Sequence, residues 1–152
     1  MRIMKPPADL GLADDPVIFL AGSIEQDTAT NWQKVVENGL QVYAGTILNP
    51  RRDAWDASWK QTIDSVRFRE QVEWELGGME RARTIALYFE PGTKSPVTML
   101  ELGLHARAGK LIVCCPEGFW RKGNVDIVCR NYGIDQVNTL DDLILSLRSD
   151  LG

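Results

Sequence analysis

The chain has 152 residues, and its 44% hydrophobic and 25% charged content is that of an ordinary globular domain. A net charge of -4 at pH 7 argues against the basic face with which a protein grips a nucleic-acid polymer. The three cysteines, Cys114, Cys115 and Cys129, form no CxxC pair, and the single histidine, His105, lies in another segment, so neither a disulfide framework nor a zinc site is expected.

Residues 1–16 carry three prolines and several acids, lack the apolar core of a signal peptide, and read as a flexible lead-in. Residues 17–152 then read as a single α/β domain. "VIFLAGS" (17–23) is a short apolar run ending in glycine, the mark of a strand buried on both faces. "TATNWQKVVENGL" has helical spacing. "AGTILNP" (44–50) is a second strand, and "RRDAWDASWKQTID" a polar loop with two tryptophans. "SVRFREQVEWELGGMERA" (65–82) is helical, with an apolar stripe running Phe68, Val72, Leu76, Met79. "RTIALYF" (83–89) is a third strand, and a helix follows over 95–108. "KLIVCCP" (110–116) is a fourth strand, "GNVDIVCRNYG" a short helix, "IDQVN" a weak strand and "TLDDLILSLRSDL" a final amphipathic helix. This alternation predicts a flavodoxin-like three-layer sandwich, with a parallel sheet of about five strands and helices on both faces. No apolar run is long enough to span a membrane, and a cytoplasmic location is expected.

In open parallel sheets ligands bind outside the carboxyl ends of the strands, which draws attention to "AGSIEQ", "NPRRDAW", "YFEPGTKSP" and "CCPEGFWRKGN". Within "PGTKSPVTMLELGLHARAGK" (91–110), Ser95 is a plausible N-cap and Pro96 suits the first helical position. Glu101 then falls in the second turn, on the stripe of Val97, Leu104 and His105. Its side chain leans back toward the strand ends, where the helix N-terminus favours the anion. It reads either as a nucleophile or electrostatic stabiliser, or as an exposed surface acid, or as one paired with Arg107 or Lys110. Glu75 lies on the apolar stripe of its helix, seven after Phe68 and three after Val72. It reads as a general acid with a raised pKa, or as a boundary residue. Glu73, four after Arg69, reads as a solvated pair. One carboxylate kept charged and one pushed toward neutrality would suit glycosyl transfer.

The other segments leave alternatives open. Gly22 and Ser23 in "AGS" allow close approach of a ligand, although glycine is common in such turns. Arg51 and Arg52 are either an anion site or solvated charges. Trp55 and Trp59 either stack on a base or cover the sheet. His105 reads as structural. Neither nucleotide-binding glycine fingerprint is present.

"FLAGSI", "EWELGGMERARTIALYF" and "PGTKSPVTMLELGLHA" together resemble the nucleoside 2-deoxyribosyltransferases and the related deoxynucleoside monophosphate N-glycosidases. The resemblance runs from about Val17 to Tyr132. It implies that Glu101 is the nucleophile that forms a glycosyl-enzyme. Glu75 then stands where the family has an acid, usually Asp, that helps protonate the departing base. Asn124 matches an asparagine that a neighbouring subunit places against the sugar 5′-hydroxyl. Phe19 falls where many members have Tyr, and Ser95 is the nearest match to a second base-contacting acid. "NPRRDAW" resembles a less characterised branch.

The expected activity is transfer of 2-deoxyribose between nucleobases by retaining double displacement. The alternatives are hydrolysis of a nucleoside 5′-monophosphate, with Arg51, Arg52 or Ser95 on the phosphate, and a non-catalytic nucleotide-binding module. The expected partners are a nucleoside or nucleotide, a free nucleobase and further copies of the chain in a homo-oligomer with shared sites. No nucleic-acid polymer and no membrane is expected as a partner. No metal or organic cofactor is expected, because the proposed chemistry uses carboxylates alone.

Overall fold

The structure, a computed structural model, describes residues 1–24, 30–52 and 58–152. Its strands are β1 (Arg2–Met4), β2 (Val17–Gly22), β3 (Thr46–Leu48), β4 (Thr84–Tyr88), β5 (Leu111–Cys114) and β6 (Asp135–Val137). They form a six-stranded sheet in the order β1-β3-β2-β4-β5-β6, parallel throughout. The helices are α1 (Trp32–Leu40), α2 (Val66–Arg81), α3 (Pro96–His105), α4 (Lys122–Tyr132) and α5 (Leu140–Leu151). Among the described residues no helix is long and apolar enough to cross a membrane.

The continuous apolar strands divide by alternation into two cores. Val17, Phe19 and Ala21 of β2 join Ile85 and Leu87 of β4 against α2, α3 and α4. Ile18 and Leu20, with Ala86 and Tyr88, face α1 and α5. The three cysteines are buried and free within these cores. The chain leaves β2 toward β3 on one side, then crosses back through α2 to β4 on the other. The sheet therefore changes direction between β2 and β4, which opens a crevice at their carboxyl ends.

Two expectations change. The stretch read as a loose lead-in contains β1, which pairs with β3 in register Arg2↔Thr46 to Met4↔Leu48 and makes the sixth strand. A three-residue edge strand carries no periodic signal of its own. The inward face of α2 is also rotated from the expected stripe. It is Gln71, Trp74, Gly78 and Met79 that are buried, while Leu76 is exposed. Gly78 is the physical reason. A Cβ at that position would stand 2.8 Å from the Phe19 ring, so the helix backbone lies directly on β2. The Trp74 ring packs 6.2 Å from Phe19, and its indole N–H donates to the Ala8 carbonyl at 2.9 Å.

Candidate active site

The crevice between β2 and β4 is a cleft of about 620 Å³. Gly22 and Ser23 from β2, Arg51 and Arg52 after β3, Glu75 from α2, and Ser95 and Glu101 from α3 all line it. Seven of the nine residues singled out in the sequence are thus brought together. Phe19 is not among them, because it sits beneath α2 in the core with no exposed surface. Asn124 is exposed on α4 and does not line this chain's cleft. Trp55 lies outside the described residues.

Gly22 is required by the protein's own packing. A Cβ there would come within 2.6 Å of both the Trp32 ring and the Tyr88 carbonyl. The next residue ties the strand ends together. Ser23 Oγ accepts from the Glu90 N–H at 2.9 Å and lies 3.3 Å from Thr93 Oγ1. It also contacts Ser95 Oγ, which in turn is 2.8 Å from Thr93 Oγ1. Ser95 holds the N-cap position expected of it, with Pro96 following, but its φ of 48° is left-handed and its hydroxyl turns to this cluster instead of capping α3.

On α3 the buried face is Thr98, Glu101, Leu102 and His105, at helical spacing. Leu104, expected to share the inward stripe, is exposed instead, whereas Val97 lines the cleft with Glu101 while remaining partly open to solvent. The buried face of α3 thus mixes three polar residues with Leu102, and Leu100 and Leu104 are left exposed. Glu101 is only 7% exposed. Its alternative partners are engaged elsewhere. Lys110 Nζ donates to the carbonyls of Met79, Glu80 and Ala82 at the end of α2, and Arg107 lies against Tyr132. His105 is buried, and desolvation pushes its pKa down, as befits a structural histidine.

Glu75 is held by its neighbour one turn back. Gln71 Nε2 donates to Glu75 Oε1 at 2.9 Å and to the Pro50 carbonyl at 3.0 Å. Gln71 Oε1 accepts from Arg52 Nε at 2.5 Å. The guanidinium of Arg52 also lies 5.3 Å from the centre of the Trp59 ring, with Arg67 at the same distance from that ring. Trp59 therefore packs on arginines of the loop and of α2. Arg51 donates to the Thr30 carbonyl and to Gln33 Oε1, each at 3.3 Å. Glu73 pairs with Arg69 across 3.9 Å at the surface, as expected.

The expected division of charge is corrected. Burial pushes both carboxyls above their ordinary range, and the negative charge of Glu75 adds to the effect on Glu101, which reaches about 8. On Glu75 the Gln71 hydrogen bond and the Arg52 charge oppose burial. Glu101 is therefore not kept charged by the start of α3, because desolvation of a buried carboxylate outweighs the helix dipole. Gln71 was absent from the sequence reading, although its place four residues before Glu75 was a usable signal. Thr93 and Thr98 carried none, because their roles depend on how β4 and α3 meet.

Residues 15–119 match a family model described as "Nucleoside 2-deoxyribosyltransferase like", a span that includes every cleft residue named above and stops short of Asn124. No curated protein matches the chain.

Proposed function

The chain belongs to the nucleoside 2-deoxyribosyltransferase-like family, and from that premise we propose that it transfers 2-deoxyribose between nucleobases through a glycosyl-enzyme on Glu101. The observation that carries this reading is the pairing of Glu101 and Glu75, two mostly buried carboxyls that share one cleft, where the charge of Glu75 raises the cost of ionising Glu101. Binding alone would not call for such a pair, which is the argument against a non-catalytic module.

In the proposed reaction a Glu101 oxygen forms a bond to C1′ as the C1′–N bond breaks. The electron pair of that bond goes to the base, which takes a proton from Glu75. The acceptor base then attacks C1′, the Glu101 carboxylate leaves, and the ring N–H proton of the acceptor returns to Glu75. Glu101 must be ionised and Glu75 protonated when the first step begins, whereas burial favours the neutral form of both. Glu101 therefore has to give up its proton before attack, and the Arg52 charge beside Glu75 bears on how readily Glu75 releases its own.

A second reading, hydrolysis of a nucleoside 5′-monophosphate with water as acceptor, is favoured by one feature. Arg51 and the hydroxyls of Ser23 and Ser95 border the same cleft and suit a phosphate. We further propose that the active form is a homo-oligomer in which Asn124 of one copy completes the site of another, because Asn124 stands outside its own chain's cleft and α3 leaves an aliphatic ridge uncovered.

The test is incubation with deoxynucleosides and their 5′-monophosphates, with and without an acceptor base. Exchange of bases is expected, abolished by at least about 10⁴-fold in Glu101→Gln. Glu75→Gln should lose most on substrates with poor leaving bases. Wild-type turnover in Glu101→Gln would end the glycosyl-enzyme reading, and release of free sugar regardless of acceptor would favour hydrolysis.

A further inference from the structure

We infer that the base end of the cleft selects bases carrying an oxo group beside the ring nitrogen that is protonated, 6-oxopurines above adenine, with Arg52 as the residue that reads the oxo oxygen. The inference rests on the proposed placement of a base beside Glu75.

The two ends of the cleft differ in chemistry. One end carries the small hydroxyls of Ser23 and Ser95 at the start of α3, both hydrogen-bonded with Thr93. Such groups suit the hydroxyls or phosphate of a sugar. At the other end, Phe68 and Val72 of α2 offer an apolar wall beside Arg52, Gln71 and Glu75. A flat aromatic ring with a polar edge fits that end and not the first.

Arg52 is built into this end with little freedom. Its Nε is taken by Gln71 Oε1 at 2.5 Å, and its guanidinium lies against the Trp59 ring at 5.3 Å. Gln71 is itself locked, since its amide donates to both Glu75 Oε1 and the Pro50 carbonyl. Turning that amide over would set N–H against N–H at Arg52 and oxygen against oxygen at Pro50. The tether through Gln71 thus holds Arg52 and Glu75 side by side. No acceptor among the described residues takes a hydrogen bond from the two terminal nitrogens of Arg52.

A guanidinium has donors and no acceptor. The edge of a 6-oxopurine presents N7 and O6, two neighbouring acceptors, whereas adenine presents N7 beside an amino donor. With Glu75 serving N7, the adjoining Arg52 N–H meets O6 of hypoxanthine or guanine. In adenine it meets another N–H, and both donors are left unpaired. A polar mismatch of this kind is worth about 10- to 100-fold in discrimination.

The experiment is equilibrium titration of the full chain with hypoxanthine and with adenine, which needs no turnover, alongside rates on deoxyinosine and deoxyadenosine. Hypoxanthine is expected to bind at least about tenfold more tightly. In Arg52→Met the ratio should fall to near one, and Arg52→Lys, which keeps the charge but not the planar fork, should recover only part of it. Gln71→Met provides a second route, because it frees Arg52 without removing it and should also narrow the ratio. Equal or reversed affinities in the wild type, a ratio unchanged in a folded Arg52→Met, or no hypoxanthine binding at millimolar concentration overturns the inference. Selective base binding without turnover of any nucleoside would sink the transfer reading and leave this one standing. Exchange at equal rates for both nucleosides, without selective binding, would do the reverse.

Discussion

Glu101 shows how a single side chain is set by competing terms. The start of α3 favours a carboxylate, but burial and the neighbouring Glu75 disfavour it more strongly, and the group is pushed up to about 8. The consequence for stability has a definite sign. A carboxyl whose pKa is higher in the folded chain than the ordinary 4.5 stabilises the fold below that value, and the contribution is lost as pH rises through about 8. Near neutral pH the wild type therefore carries a penalty, at most roughly 3 kcal/mol, for holding an ionisable group there. Glu101→Gln keeps the shape and removes the ionisation. It should be more stable than the wild type at pH 8, with the difference shrinking toward pH 4.5. Urea denaturation at the two pH values measures this, and a variant less stable than the wild type at pH 8 would refute it.

At the scale of elements, the site depends on how α2 and α3 are rotated against the sheet. Gly78 lets α2 lie on Phe19 and so brings Gln71 inward, with Glu75 at the edge of the cleft. The far end of α2 is fastened by Lys110, whose ammonium meets the carbonyls of Met79, Glu80 and Ala82 at 2.6, 3.2 and 3.1 Å. A cation at a helix C-terminus complements both the dipole and the orphan carbonyls. Lys110→Met should therefore cost about 2 kcal/mol of stability, since a charge-assisted cap is lost at a partly buried position. The substitution is remote from the cleft, so kcat should be retained at temperatures where the variant is folded. Thermal melting paired with an assay separates the two effects, and an unchanged melt would show that the lysine is dispensable as a cap.

For the whole molecule, the outward side of α3 is the informative surface. Leu100 and Leu104 are 61% and 55% exposed on the helix that carries Glu101. Trp120 nearby is half exposed, with Lys94 and Arg121 over its ring at 4.3 and 4.6 Å, whereas Phe119 is buried against Phe89 at 4.8 Å. Phe119 thus belongs to the chain's own core, and of these two aromatics only Trp120 is open to a contact. A second copy seated on the α3 ridge is the occupant in the proposed shared-site assembly. Leu100→Glu combined with Leu104→Lys should then convert the oligomer to a monomer and lower activity together with assembly, as read by sedimentation at assay concentration. A wild type that is both monomeric and active would remove the shared site.

The alternation of short apolar runs with helical segments was enough to determine a parallel sheet covered on both faces, since only that arrangement buries strands that are apolar on every residue. It also determined where a site would lie, because the carboxyl ends of the strands are a property of topology. Glu101 and Glu75 were likewise legible as candidates, as acids on the apolar stripes of their helices, although the stripe expected for α2 is not the face that turns inward. The three residues of β1 were not, because an edge strand that short is defined by its pairing with β3. Nor was the rotation of α2 and α3. Helical spacing says which residues share a face, but close contact at Gly78 and the hydroxyl cluster at Ser95 decide which face turns inward. The raised pKa values of both carboxyls followed from that rotation. Desolvation depends on what surrounds a carboxyl in three dimensions, and Gln71 and Arg52 reach Glu75 only once β3, α2 and the loop between them have packed together.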